Sequence, residues 1–167
     1  LEVLKGPATV VFDSNAQHGI INVLSRSVSD TQNQIKAEAG SRDYYRLSGS
    51  AAFDSVAFSA QATRYGGYQD ASGYHQQKAT LRIDHDRQNW RVQGLLEGSN
   101  LNQETAGYIR GFEAYEDDDA REENPNPEAY RDAWAARGYL SFSRDWGADA
   151  EVTLRPYWRS NSMTFLQ

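Results

Sequence analysis

The feature that most constrains this chain is a strict alternation of side chains, carried with little aliphatic bulk. Tyr45, Leu47, Gly49, Ala51 and Phe53 alternate with Arg46, Ser48, Ser50 and Ala52, and Val56, Phe58, Ala60 and Ala62 alternate with Ala57, Ser59, Gln61 and Thr63. The same period holds for Ala79, Leu81 and Ile83 against Thr80, Arg82 and Asp84, and for Trp90, Val92, Gly94 and Leu96 against Arg91, Gln93, Leu95 and Glu97. Leu140 and Phe142 against Ser141 and Ser143, then Val152, Leu154, Pro156 and Trp158 against Glu151, Thr153, Arg155 and Tyr157, continue it. A period of two belongs to the β-strand, whose successive side chains point to opposite faces. With Ile35 to Ala39 as a weaker first member, about seven strands are expected and the body of the chain is all-β.

The connections add a direction. Asp54-Ser55, Arg87-Gln88-Asn89 and Asp145 to Ala148 read as tight turns, whereas 65–77 and 101–133 read as long loops. Up-and-down strands place every second connection at the same end, so one end of the sheet carries short turns and the other long loops, as in outer-membrane barrels. Ser41 to Tyr44 is short yet falls at the long-loop end, the one exception.

Two architectures fit such strands: a transmembrane barrel and a soluble antiparallel sandwich. The second face carries Arg46, Arg82, Arg91, Arg155 and Arg159, more charge than a thin soluble sheet requires, and aromatics gather near strand ends (among them Tyr44, Tyr65, Trp90, Trp134 and Trp158), as at membrane interfaces. These favour the barrel. No run approaches the roughly 18 apolar residues of a helical span, but membrane strands hide in a polar average such as the mean hydropathy of -0.76. A net charge of -6 argues against nucleic acid as a partner, and the absence of Cys removes disulfides, thiolate catalysis and iron–sulfur clusters.

Residues 1–29 differ in texture. Leu1 to Lys5, Gly6-Pro7, Val10-Val11-Phe12, Asp13-Ser14-Asn15-Ala16, Gly19 and Ile20-Ile21-Asn22-Val23 together resemble the end of the plug domain of TonB-dependent outer-membrane receptors. The match rests on Glu2, Lys5, Gly6, Pro7, Ser14, Asn15, Gly19 and Asn22 in order. Asp13 and His18 stand where many members have glycine. The resemblance implies a C-terminal piece of plug in 1–29, followed in 30–167 by the first strands of a plugged up-and-down barrel of about 22 strands. It implies that Lys5 pairs with carboxylates on the barrel wall. A chain that opens at Leu1 and closes inside the strand-like run Met163 to Gln167 is expected to be part of a longer protein.

Local chemistry is sparse. The acidic run Glu113, Glu116, Asp117, Asp118, Asp119, Glu122 and Glu123 offers oxygen ligands for calcium, but it lacks a central Gly and regular ligand spacing, so a solvated loop is expected and no metal. Glu97 and Glu104 are a pair any acidic chain offers, not a glycosidase dyad. His18, His75 and His85 are scattered, and no nucleotide or nucleophile motif occurs. A non-enzymatic receptor without a cofactor is expected.

Three readings follow from the resemblance: outer-membrane location in a Gram-negative bacterium, uptake of a ferric siderophore or similar large scarce solute, and energy from a TonB-type partner through an upstream box. Outer-membrane lipid and lipopolysaccharide would surround the barrel. Tyr68, Tyr74, His75, Tyr108, Arg110 and Tyr115 are the loop residues expected at the ligand, and Arg46, Arg82, Arg91 and Arg155 are expected to line the lumen and meet the plug. Tyr65 is assigned to the interfacial girdle. The alternative is a carbohydrate-binding or adhesion β-domain without transport.

Overall fold

The computed structural model describes residues 2–5, 19–22, 26–147 and 150–167. Strands β1 (Glu2–Lys5) and β2 (Gly19–Asn22) form an antiparallel pair, with Glu2 opposite Asn22 and Lys5 opposite Gly19. Gly19 has φ +148°, a region open to glycine and closed to residues with a Cβ. Asp13 and His18 lie outside the described residues.

The rest is one antiparallel meander. Strands β3 (Gln34–Gly40), β4 (Tyr44–Phe53), β5 (Val56–Tyr65), β6 (Tyr74–Arg87), β7 (Trp90–Glu104), β8 (Tyr130–Asp145), β9 (Glu151–Leu154) and β10 (Tyr157–Leu166) pair with their neighbours in sequence order. Both β9 and β10 pair with β8. Phe142 faces Leu154 and Tyr139 faces Tyr157, so β9 and β10 run in one unbroken register. The interruption is Pro156: its carbonyl accepts from Leu140 N at 3.2 Å, but it has no N–H to return to the ladder. In effect seven lines of strand are present, the number the alternation predicts.

The turns divide as the lengths imply. Phe53 pairs with Val56 across Asp54-Ser55, with Asp54 at φ +49°, a conformation Asp tolerates in a two-residue hairpin. Asp84 N donates to Ser55 O, and Asp145 N to Asn89 O, so the three short turns sit side by side at one end. The turn at 41–43 and the loops 66–73 and 105–129 sit at the other end, where Gly66 N donates to Arg42 O at 2.8 Å. The long loops are shorter than the sequence predicts at 65–77 and 101–133, because β5 to β8 run on past the regular alternation, β6 with polar residues on both faces and β7 and β8 with apolar residues such as Leu101 and Ala133 on the otherwise polar face. Alternation cannot mark a strand whose two faces do not differ.

Burial is inverted relative to a soluble sheet. Along β5, Val56 and Phe58 are exposed while Ala57, Ser59 and Thr63 on the opposite face are buried or half-buried. On β4, Leu47 and Phe53 are exposed and Arg46, Ser48 and Ser50 half-buried. Among the described residues the buried apolar side chains are only Val28, Ala57 and Ala129. The register places Phe58, Leu81 and Leu96 in one lateral row of the apolar face, and Val56, Ile83, Gly94 and Leu140 in the next. No element covers this face among the described residues.

Apolar rows on β7 run from Trp90 to Gly98. The next row on the same face is mixed, running from Leu47 and Ala62 through Gln77 and Asn100 to Trp134 and Ser162, and the one after it holds Tyr45, Arg64, His75, Asn102, Asp132 and Thr164. On β6 to β8 these rows are laced by Asn100 Nδ2 to Gln77 Oε1 at 3.1 Å and Asn102 Nδ2 to Asp132 Oδ1 at 3.0 Å. On β7 the apolar stretch is thus about nine residues of strand, the length that crosses a bilayer at a tilt.

Candidate functional site: the polar face and the loop end

On the opposite face the strands present Arg46, Arg82, Arg91, Arg137 and Arg159 among Ser, Thr, Gln and acidic neighbours. Arg46 lies 3.5 Å from Glu38 and its Nε donates to Thr63 Oγ1 at 3.4 Å. Arg91 pairs with Asp86 at 2.9 Å, and Arg137 with Glu97 at 2.9 Å. Arg155 falls in the gap between β9 and β10, with its guanidinium over the Tyr139 ring at 5.7 Å. All four arginines expected to act together are therefore on this face.

The segment leading from 26 into β3 lies across it. Arg82 Nη1 donates to Arg26 O and Nη2 to Thr31 Oγ1, the latter at 2.8 Å. Thr31 in turn donates to Ser27 O and, from its backbone, to Val28 O, closing a compact turn that buries Val28. Ser27 Oγ donates to Asp30 Oδ2 at 2.7 Å. Farther on, Ser50 Oγ donates to Gln32 O and Ala52 N to Asn33 Oδ1, both at 2.7 Å. One arginine of β6 thus ties the incoming chain to the sheet, its planar fork reaching two acceptors at once.

At the loop end, 66–73 and 105–129 are knit through Asn124. Its Nδ2 donates to Ala71 O at 3.0 Å, and its Oδ1 accepts from Asn126 N at 2.9 Å and Gly107 N at 3.4 Å. Asp70 N and Gln69 Nε2 donate to Glu122 O and Glu123 O. Beyond this knot Tyr108, Phe112 and Tyr115 are strongly exposed, Phe112 at 93%. The acidic run is occupied locally: Asp117 Oδ1 accepts from Asp119 N and Ala120 N, and Asp118 pairs with Arg121 at 2.8 Å. Among the described residues no group of three acidic or His side chains is placed to hold a metal ion.

The six loop candidates do not form one cluster. Tyr108 and Arg110 meet at 5.3 Å, and Tyr115 sits in a single 3-10 turn at Ala114–Glu116. Tyr68 lies under the Arg42 guanidinium at 4.2 Å. Tyr74 packs against Tyr65 at 5.8 Å on the polar face, while His75 faces the other way, beside Arg64 and Asn102.

Tyr65 is accordingly no girdle residue. The aromatics expected at strand ends split by parity, with Tyr45, Trp90, Trp134 and Trp158 on the apolar face and Tyr44, Tyr65, Tyr139 and Tyr157 on the polar one, and Tyr139 falls in the middle of β8 and not at its end. Of the motif residues, Gly6, Pro7, Ser14 and Asn15 lie outside the described residues. Sequence reading missed Arg137, Thr31 and Asn124. Arg137 was discoverable by carrying the parity of Tyr139 and Ser141 back along β8, whereas the other two are set by loop geometry. No protein-family model, curated protein or solved structure matches the chain.

Proposed function

We propose that the chain is part of a TonB-dependent outer-membrane receptor, a β-barrel whose lumen holds a plug, and that it takes up a ferric siderophore or a similar large, scarce solute. The observation that carries this reading is the inverted burial: apolar side chains fill the uncovered face over about nine residues of strand, and the arginine-rich face receives the segment that follows residues 1–26. In water such a sheet has almost no core, whereas in a bilayer lipid covers the apolar face and the plug and its water cover the other.

Closure of the barrel requires further strands beside β3 and β10, whose outer edges are unpaired among the described residues. A soluble sandwich would need a second sheet over the apolar rows, and none lies there among the described residues.

The test uses the complete protein in its own cells. Fractionation is expected to place it in the outer membrane in a heat-modifiable form. Under iron limitation, uptake of a radiolabelled ferric chelate is expected to require both the protein and the energy-transducing partner. Recovery as a soluble protein, or uptake unchanged by deleting the gene across a panel of ferric chelates, would overturn the reading.

A further inference from the structure

We propose that the groove between residues 26–28 and strands β6, β7, β8 and β10 is a binding site for a multiply charged oxyanion, placed part-way through the sheet. It follows that the solute passing along this face is anionic. This rests on the receptor reading above.

The groove encloses about 960 Å³, within the range of small-molecule sites. Its lining includes Arg26, Arg82, Arg137, Arg155 and Arg159 against a single carboxylate, Asp84. Glu97, just outside, neutralises Arg137 alone. Among the described residues Arg82, Arg155 and Arg159 have no carboxylate within ion-pair distance.

Two details argue for an anion rather than a solvated charged wall. Arg137 and Arg159 are directly opposite one another on β8 and β10, and the one carboxylate that reaches the pair, Glu97, bonds Arg137, which leaves Arg159 uncompensated beside a second guanidinium. Arg82 Nε is buried without an acceptor, so this wall of the groove holds a donor that nothing among the described residues satisfies. Guanidinium forks suit carboxylate and phosphate oxygens bidentately, and Tyr139 and Tyr157 between them supply a surface for the rest of a solute. The concentration of cations runs against a net charge of -6 for the whole chain.

The position matters as well. Arg82 and Tyr139 alternate with Leu81, Ile83 and Leu140 of the apolar face, so the groove lies within the apolar span and away from Tyr68, Tyr108 and Arg110 at the loop end. Arg26 and Arg82 belong to the tie between the incoming segment and the sheet, so an anion entering here would meet the same residues that hold that segment.

The experiment measures equilibrium binding to the complete receptor in detergent, with citrate, its ferric complex and orthophosphate as probes and an uncharged ferric trihydroxamate for comparison. The double variant Arg155→Gln, Arg159→Gln spares Arg82, and its heat-modifiable mobility checks folding. Binding of a charged probe is expected to weaken at least tenfold in the variant and to fall with added salt, with the uncharged chelate unaffected. Binding of citrate identifies a carboxylate source and binding of orthophosphate alone a phosphate source. Failure of every charged probe to bind, or equal affinity in variant and parent, overturns the site. Outer-membrane location and energised uptake of a ferric chelate, together with equal binding of every charged probe by variant and parent, would defeat the anion site and leave the receptor reading standing; loss of outer-membrane location would defeat the receptor reading itself.

Discussion

Leu95 and Leu96 are consecutive residues of β7 that face opposite ways, Leu96 in the apolar row with Leu81 and 54% exposed, Leu95 half-buried on the polar face opposite Arg82. Replacing each in turn by Arg makes the same chemical change on two different surroundings. The apolar rows of β7 run from Trp90 to Gly98, so Leu96 lies two residues from their midpoint at Gly94. If the proposed barrel spans a bilayer, then at roughly 3.3 Å per residue and a tilt of about 45° that is about 5 Å from its centre. A guanidinium facing lipid costs about 2–4 kcal/mol at the midplane and falls to about 0–1 near the interfaces, so Leu96→Arg should cost roughly 1–3 kcal/mol.

That corresponds to about a 5- to 150-fold loss in the folded population. On a water-facing surface the same change stays within about 0.5 kcal/mol in either direction. Leu95→Arg adds a cation to a wet, arginine-rich wall and should cost less than Leu96→Arg. The assay is urea titration of the complete receptor folding into lipid vesicles, read by heat-modifiable mobility and tryptophan fluorescence. Equal tolerance of the two variants, or a greater loss for Leu95→Arg, would refute the assignment of faces.

The short turns are expected to face the periplasm and the loop 105–129 the outside; with no native Cys in this chain, a single Cys at Asp118 should be labelled on intact cells by an impermeant reagent and one at Ser55 should not, and the reverse pattern defeats the orientation. Arg82→Ala removes the donors to Arg26 O and Thr31 Oγ1, and should raise hydrogen exchange across 27–31 by tenfold or more while Arg82→Lys restores part of the protection; unchanged exchange would mean that the tie holds nothing. Residues 1–167 expressed alone should aggregate in detergent-free buffer, because both outer edges of the sheet and its apolar face stay uncovered; a monodisperse monomer that melts cooperatively would count against the receptor reading.

The sequence made the strand parity legible and left the strand ends obscure, for one physical reason. Parity is visible where one face is apolar and the other polar, as from Val56 to Ala62 or from Trp90 to Leu96, and there the expected and observed strands agree. Beyond that stretch His75 and Gln77 face one way and Gln76 and Lys78 the other, all polar, and nothing in the residues separates strand from loop. The side of the sheet to which the arginines belong was likewise legible, because Arg46, Arg82 and Arg91 share parity with small polar neighbours. The tie from Arg82 to residues 26–31 was not, since it depends on how a turn outside the sheet returns to it. Nor was the scatter of the loop aromatics, whose partners Arg42 and Tyr65 lie on other elements.

The same alternation serves opposite ends depending on what covers each face, and the sizes of the residues decide between them. A soluble sandwich fills the space between its sheets with interdigitating side chains, yet in the row Ile35, Gly49, Ala60, Ala79, Gly98, Ala136 and Ser160 only Ile35, at the β3 edge, offers a large side chain to interdigitate. A Cβ added at Gly98 would meet no atom within 4 Å. Facing a second sheet, that row would leave a trough of lost contacts; facing lipid, fluid chains fill it at little cost. On the other face the largest side chains are arginines and tyrosines, which keep their polar ends available to water, an anion or a plug instead of burying them. A sheet that is apolar on one face and donor-rich on the other makes a poor half of a protein core, which is what the proposed reading as a wall of a membrane conduit rests on.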